Sequence, residues 1–369
     1  PPRSTLFPYT TLFRSQEGRA CEGLNLYTSG HDTAAWLVDM RGNLLHAWRC
    51  PYERAWPGRE FPDQGYGHRS WRRVVLLPDG FLLAVFEGVG LVKLDRDSNI
   101  VWVYSGRAHH DLRVLENGDI YVLSRRAHMI PRIHADRPIL EDFITLLDAG
   151  GNVKSELSLL EASEKSEFWP MIRLLLPKSE GDIFHANSLE WMDGSREHIS
   201  PLYRRGNILT SFKHQDAVAI VDMELGKLVW FKSGPWVYQH NPVLLENGNI
   251  LVYDNNRFCD YSRVLEYNPF TREIPWYYIA DPPQGFFNKH CGAAFPLING
   301  NVLIIESEYG RAFEVTRERE IVWEFVNPGA LEDKQEVVPY LYDLTRLPPD
   351  FPMDWLPAPP AETDGSPLP

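Results

Sequence analysis

Cysteine is scarce in this chain, and the four that occur are not arranged to pair. Cys21, Cys50, Cys259 and Cys291 form no C-x-x-C motif and no metal-finger spacing. One disulfide is possible, none is implied, and unpaired thiols are the expected state. Long apolar runs are also missing. The best stretch, Val74 to Leu94, is broken by Pro78-Asp79-Gly80, well short of the roughly 18 uninterrupted residues of a membrane helix. Positive charge is outnumbered: 37 Lys and Arg face 50 Asp and Glu, for a formal charge of −13. That balance removes nucleic acid and anionic membrane as general partners, because both need a basic face. An anionic small molecule remains open, provided the positive charge is local.

What the chain does have is apolar and aromatic material. Of 369 residues, 44% are hydrophobic and 12 are Trp, ample for a globular β protein and too much for a disordered one. Length alone allows two average domains or one large repeat fold. The two ends stand apart from the rest. Residues 1–20 read as a non-native or disordered tail. Thr5-Leu-Phe-Pro-Tyr-Thr and Thr11-Leu-Phe-Arg-Ser resemble translated sequencing-adapter read-through of the kind found in metagenomic gene predictions, and lack a secretory pattern. On that reading a native start has been replaced, and the compartment is open: periplasmic or secreted with a signal peptide, cytoplasmic without. Residues 341–369, with Leu347-Pro-Pro-Asp-Phe-Pro-Met-Asp-Trp-Leu-Pro-Ala-Pro-Pro, read as a Pro-rich extended C-terminal segment.

Between these ends, at 21–340, the sequence repeats. Val74-Val-Leu-Leu-Pro-Asp-Gly80, Leu112-Arg-Val-Leu-Glu-Asn-Gly118, Val243-Leu-Leu-Glu-Asn-Gly248 and Phe295-Pro-Leu-Ile-Asn-Gly300 each enter a second apolar run, and Gly206-Asn207-Ile-Leu opens a looser copy. Asn-Gly or Asp-Gly between β-rich runs is a hairpin signal, and it predicts φ > 0 at both turn residues. Each copy is followed by a second hairpin ending in an aromatic strand, which aligns Trp102, Trp230, Trp276 and Trp323, with Trp48 in an isolated outer half. These periods predict an all-β chain: a six-bladed β-propeller of four-stranded blades, with the tryptophans as wedges between blades. Two inner strands of blade one are missing before Leu24 and must come from the N-terminus or from beyond Asn327. Ser124 to Asp182 breaks the rhythm as a partly helical insertion in blade three, with a short helix around Leu157 to Trp169.

The innermost strand of such a blade lines the channel, so the residue eight positions before each turn glycine marks equivalent places. That count gives His240, His110 and Arg72, with Gly292 in blade six and His290 two residues earlier. His185 and Asn187 lie at the inner strand of blade four. Three imidazoles could hold zinc or copper, but the company of Arg72 and Arg257 suits a tetrahedral oxyanion better. No metal and no cofactor are expected.

Asp182-Ile-Phe-His185-Ala-Asn187-Ser, Gln239-His240, Tyr253-Asp-Asn255-Asn-Arg257, Ser262-Arg-Val-Leu-Glu-Tyr, Gly310-Arg-Ala-Phe-Glu-Val-Thr and Ile321-Val-Trp-Glu-Phe-Val-Asn-Pro make the chain resemble the arylsulfate sulfotransferase family. That resemblance implies sulfuryl transfer from an aryl sulfate to a phenol by a ping-pong route, through a sulfohistidine and without phosphoadenosine phosphosulfate. By the same resemblance His185, His240 and Arg257 hold the sulfate and leaving group, and His290 is the histidine nucleophile. Arg72, His110, Asn187, Asn255 and Lys289 are the expected substrate-binding residues. Two other readings fit the scaffold: a polysaccharide lyase acting on an anionic glycan, and a catalytically silent ligand-binding propeller. Oligomeric state is not legible.

Overall fold

The computed structural model describes residues 13–60, 69–176, 181–328 and 340–356. The described residues form six antiparallel sheets, and the four strands of blades two to six pair in sequence order from the inside out. Blade two uses Arg73–Leu76, Leu82–Phe86, Gly90–Leu94 and Ile100–Tyr104, and blade five uses His240–Leu244, Ile250–Asp254, Arg263–Tyr267 and Trp276–Tyr278. The chain is mostly β, 9% helical, and forms a six-bladed β-propeller.

The inner hairpins form at the predicted places with a different turn. Gly80, Gly118, Gly248 and Gly300 have φ between +80° and +87°, while the preceding Asp or Asn is not among the positive-φ residues. The turn is therefore a type I turn closed by a left-handed glycine, and the expectation of two positive φ values is corrected. In blade five Leu245 N–H donates to Asn249 O at 2.8 Å and Gly248 N–H to Leu245 O at 3.0 Å. The Asn247 side chain accepts the Asn249 N–H at 3.0 Å, and Asn117 and Asn299 accept in the same way. The short polar side chain thus satisfies the backbone across the glycine, which is why Asn or Asp stands there.

A blade cannot bury both faces alone, and the apolar side chains accordingly gather into six clusters, each shared by two adjacent blades. The outer-strand tryptophans sit at these seams. Trp102 of blade two donates to Ala149 O of blade three at 3.1 Å, Trp276 of blade five to Arg317 O of blade six at 2.8 Å, and Trp323 of blade six to Met40 O of blade one at 3.4 Å.

Blade one is closed by a strand from the far end of the chain: Leu341–Leu347 pairs with Leu24–Ser29 as its innermost strand. The boundary expected at 340 thus falls one strand too early, because a short closure strand flanked by proline carries no repeat signature. At the other end Phe13–Ser15 pairs with Ile321–Val326 as a fifth strand on blade six, so part of the expected tail joins the sheet. Of the expected C-terminal segment, 348–356 are described and lay Phe351, Met353, Trp355 and Leu356 against the cluster of blades one and two, while 1–12 and 357–369 lie outside the described residues.

Blade three corrects the expected insertion. Its second and third strands, Ile120–Met129 and Pro138–Leu147, are 10 residues each, and Val153–Ser158 is its fourth. Helices Leu159–Glu164 and Trp169–Leu175 come after the blade, leading toward blade four. Ser158 caps the first helix by accepting the Glu161 N–H at 3.0 Å, as an N-cap serine does. Among the described residues no helix is long and apolar enough to cross a membrane.

Candidate functional site

Antiparallel pairing brings two points of each blade to the same end of the channel: the start of the first strand and the end of the second. His240 is paired with Tyr253, and Arg73 with Val85. The residue eight positions before the turn glycine therefore meets the one seven positions after it. The first count gives Arg72, His110 and His240; the second gives Glu87, Arg125, Lys213, Asn255 and Ser307. Of this second set sequence reasoning named only Asn255, although the same ruler, run forward, finds them all.

The first strands of blades three, four and five carry register shifts near their channel ends. His110 and His185 both have φ of +52°, and Asn241 has +46°. A bulge with a left-handed residue re-aims the neighbouring side chain. Here it turns successive imidazoles toward one another. The His110 and His185 ring centroids are 5.0 Å apart, and those of His185 and His214 are 5.1 Å apart.

Each imidazole is held by its Nδ1. His185 Nδ1 lies 2.6 Å from Asp182 Oδ2, and His214 Nδ1 donates to the Asp182 carbonyl at 2.8 Å. His240 Nδ1 donates to Asn255 Oδ1 at 2.7 Å and to Tyr238 O at 3.0 Å. Asn255 in turn donates to the carbonyls of Asn288 and Cys291 at 2.9 and 2.7 Å. With its amide nitrogen so engaged, Asn255 must face His240 with its oxygen, and His240 must carry its proton on Nδ1. The Nε2 lone pair of His240 is then free toward the channel. Asn187 is buried, and its amide nitrogen donates to Gln239 O at 3.0 Å.

Burial favours the neutral form of His109, His110, His185 and His240. His240 is pushed well below the usual 6.5 by desolvation, then by the charges of Lys213 and Arg72. His110 is pushed well below by desolvation and Arg72, and His109 down to about 3 by desolvation and Arg125. Desolvation also lowers His185, against the opposing pull of Asp182. Burial would raise Asp182, but the His185 hydrogen bond together with the charges of His185, His214 and Arg125 outweighs it and holds the carboxyl at about 2. Asp142, buried and near Asp182, is raised to about 8.

The cations sit among these rings. Lys213 is buried and its ammonium is lowered by desolvation. It lies 5.3 Å from the Tyr238 ring centroid, and Arg257 lies over the same ring at 4.4 Å and over Phe258 at 5.9 Å. Arg72 stands over Tyr342 at 5.2 Å and interacts with the Cys291 thiol and Glu87. Positive charge is thus local to the channel mouth of an acidic protein, in the form an anion requires.

Not every expected residue joins this group. His290 has a 46% exposed side chain, and its Nδ1 is 2.9 Å from Glu308 Oε1. Lys289 is exposed, and its backbone N–H donates to Glu308 Oε2 at 2.6 Å. Both belong to the rim of blade six, where Cys291, the next residue, faces Arg72. All four cysteines are free, and Cys21 and Cys50 are buried. His109, Asp182, Lys213 and His214 were missed. Asp182 and His214 lie in connections between strands, where no β period marks a position.

The fold and this geometry can be compared with known proteins. A family model described as arylsulfotransferase (ASST) matches residues 73–328. No curated protein matches the chain in sequence. Among solved structures, a protein of unknown function from Bacteroides caccae is similar with a TM-score of 0.56 at 14% identity, over 88% of this chain and 98% of that one. The Cps50 (Swd1) β-propeller domain from Myceliophteria thermophila is similar with a TM-score of 0.51 at 11% identity, over 86% and 90% of the two chains. At those identities the likeness concerns the fold alone.

Proposed function

The chain belongs to the arylsulfotransferase (ASST) family, and we propose that it moves a sulfuryl group from an aryl sulfate to a phenol through a sulfohistidine, without a nucleotide sulfate donor. The observation that carries this reading is the meeting of neutral imidazoles with fixed cations at one channel mouth. A sulfuryl donor is anionic, its attacking histidine must be neutral, and charge on the sulfuryl oxygens has to be matched as the S–O bond breaks.

In this reading Arg257 and Arg72 hold the sulfuryl oxygens. Attack by an imidazole Nε2 forms an N–S bond and breaks the S–O bond to the departing phenolate; a second phenol then attacks the same sulfur, gives its proton to the amine that protonated the first phenolate, and regenerates the imidazole. The family resemblance gives attack to His290, whose Nδ1 is oriented by Glu308. The geometry favours His240, which is buried, locked in the Nδ1–H tautomer and closest in charge environment to Lys213 and Arg72. Protonation of the leaving phenolate falls to Lys213. A neutral His185 whose Nδ1 proton is committed to Asp182 has no second proton to give, whereas burial draws the lysine ammonium down from 10.5 toward the range of a phenol.

Mixing the protein with a chromogenic aryl sulfate should add one sulfuryl mass to a histidine-bearing peptide, with release of the phenol. If the adduct maps to His240 and survives in His290→Asn, attack belongs to His240; the converse pattern gives it to His290. Absence of adduct and of phenol release across a broad donor panel would remove the reading, and an unsaturated product from acidic polysaccharides would put a lyase in its place.

A further inference from the structure

We propose that His185 and His214, with His110 beside them, form a binding site for a borderline-soft divalent cation such as zinc. Asp182 sets the protonation of both principal rings. Its carboxylate takes the Nδ1 of His185, and its backbone carbonyl takes the Nδ1–H of His214. A carbonyl can only accept, so His214 is fixed as the Nδ1–H tautomer and its Nε2 carries a lone pair. Among the described residues neither Nε2 has a hydrogen-bond partner. An imidazole held through one nitrogen by a carboxylate or carbonyl, with the other nitrogen bare, is how metal-ligating histidines are supported.

The spacing agrees. Asp182, His185 and His214 each place a donor atom within 4.8 Å of the others. Imidazoles sharing a tetrahedral zinc at about 2.0 Å stand with centroids roughly 5 Å apart, and the His185–His214 and His110–His185 centroids are 5.1 and 5.0 Å apart. His110 Nδ1 is held 2.9 Å from His109 Nδ1, with Glu87 Oε1 at 3.3 Å. Nitrogen donors select zinc, cobalt, nickel or copper over magnesium and calcium, which take oxygen.

The arginines that spoke against a metal from sequence do not close this site. Arg257 lies over Tyr238 and Arg72 over Tyr342, while two carboxylates, Asp182 and Glu87, touch the imidazoles directly. Lys213 stands beside the same rings and weakens a cation's hold. Occupancy would tie up the Nε2 of His185, so such an ion competes with an anionic substrate. Binding itself is independent of the reaction, and so is its test.

Chelator-treated full-length protein is titrated with cobalt(II), reading the visible d–d absorption of low-symmetry, nitrogen-rich coordination. One equivalent should develop the bands, zinc should bleach them, and magnesium should leave them unchanged. His214→Ala and His214→Gln should each weaken cobalt binding by about tenfold or more, with thermal unfolding confirming that both are folded. His198→Ala, at an exposed histidine away from the channel, should bind as the parent does. Absence of bands in the parent, or bands unaltered by both His214 substitutions, overturns the proposal.

Discussion

Lys213 reaches the channel from the end of an inner hairpin, seven residues after Gly206, and its burial gives it a task that can be tested by changing the leaving group. If its ammonium protonates the departing phenolate, Lys213→Met should lower kcat by about 10²- to 10⁴-fold with a simple phenyl sulfate. The deficit should shrink steadily as the phenol becomes more acidic, because a good leaving group needs no proton. Steady-state rates over a series of substituted aryl sulfates check this; a deficit independent of phenol acidity would make Lys213 only a charge clamp. His240 makes a second prediction. It is neutral in the fold and charged in the unfolded chain below 6.5. Stability is therefore complete above pH 6.5 and falls below it, by up to about 1.4 kcal/mol per pH unit from this one group. Denaturant melts from pH 7 downward should show the fall, and His240→Gln should flatten part of it. The sequence revealed His110 and His240 because the turn glycine fixes a ruler along the first strand, and His185 through its place at the inner strand of blade four. Lys213 and Glu87 stayed hidden because they come from the partner strand, and Asp182 and His214 because only three-dimensional closure of a loop brings them in.

At the level of the hairpin, the glycine carries a conformation rather than a contact. Gly300 has φ of +87° with nothing within 4 Å of where a Cβ would stand, so replacing it tests backbone strain alone. Gly300→Ala should cost about 1–2 kcal/mol, and Gly300→Asn less, since asparagine visits the left-handed region more readily. Urea unfolding of the two variants checks the order. The repeat of these hairpins is what made the propeller readable, through alternation and turn chemistry that recur at a fixed place in each blade. Blade three escaped the pattern for a physical reason. The added length of its second strand, Arg125 to Met129, is exposed or half-buried, so it lacks the apolar alternation that announces a strand and reads as an insertion instead. The short helix after it was visible because Leu159, Leu160 and Ala162 form its buried side.

For the molecule as a whole, closure of the ring depends on a seam between blades one and six that joins distant parts of the chain. Arg346, on the closing strand, is almost wholly buried. Its Nε donates to Asn25 Oδ1 at 2.6 Å, its Nη1 to Glu314 Oε2 at 3.2 Å and to the Cys21 carbonyl, and its guanidinium lies 4.4 Å over the Trp323 ring. Glu314 is fully buried and also accepts the Cys21 N–H at 2.8 Å and the Asn301 amide at 2.7 Å. Two buried charges that satisfy each other contribute little net energy, but removing one leaves the other desolvated and unpaired. Arg346→Ala should therefore lower stability by about 3–5 kcal/mol. Arg346→Met with Glu314→Gln should recover much of that loss, because neither charge then remains and the volume is kept. Because the seam is where the ring opens, the single variant should also expose the strand from Leu341 to Leu347 to proteolysis before the other blades are cut. A time course of limited digestion with the cut sites mapped distinguishes this from uniform unfolding, in which fragments from all six blades appear together.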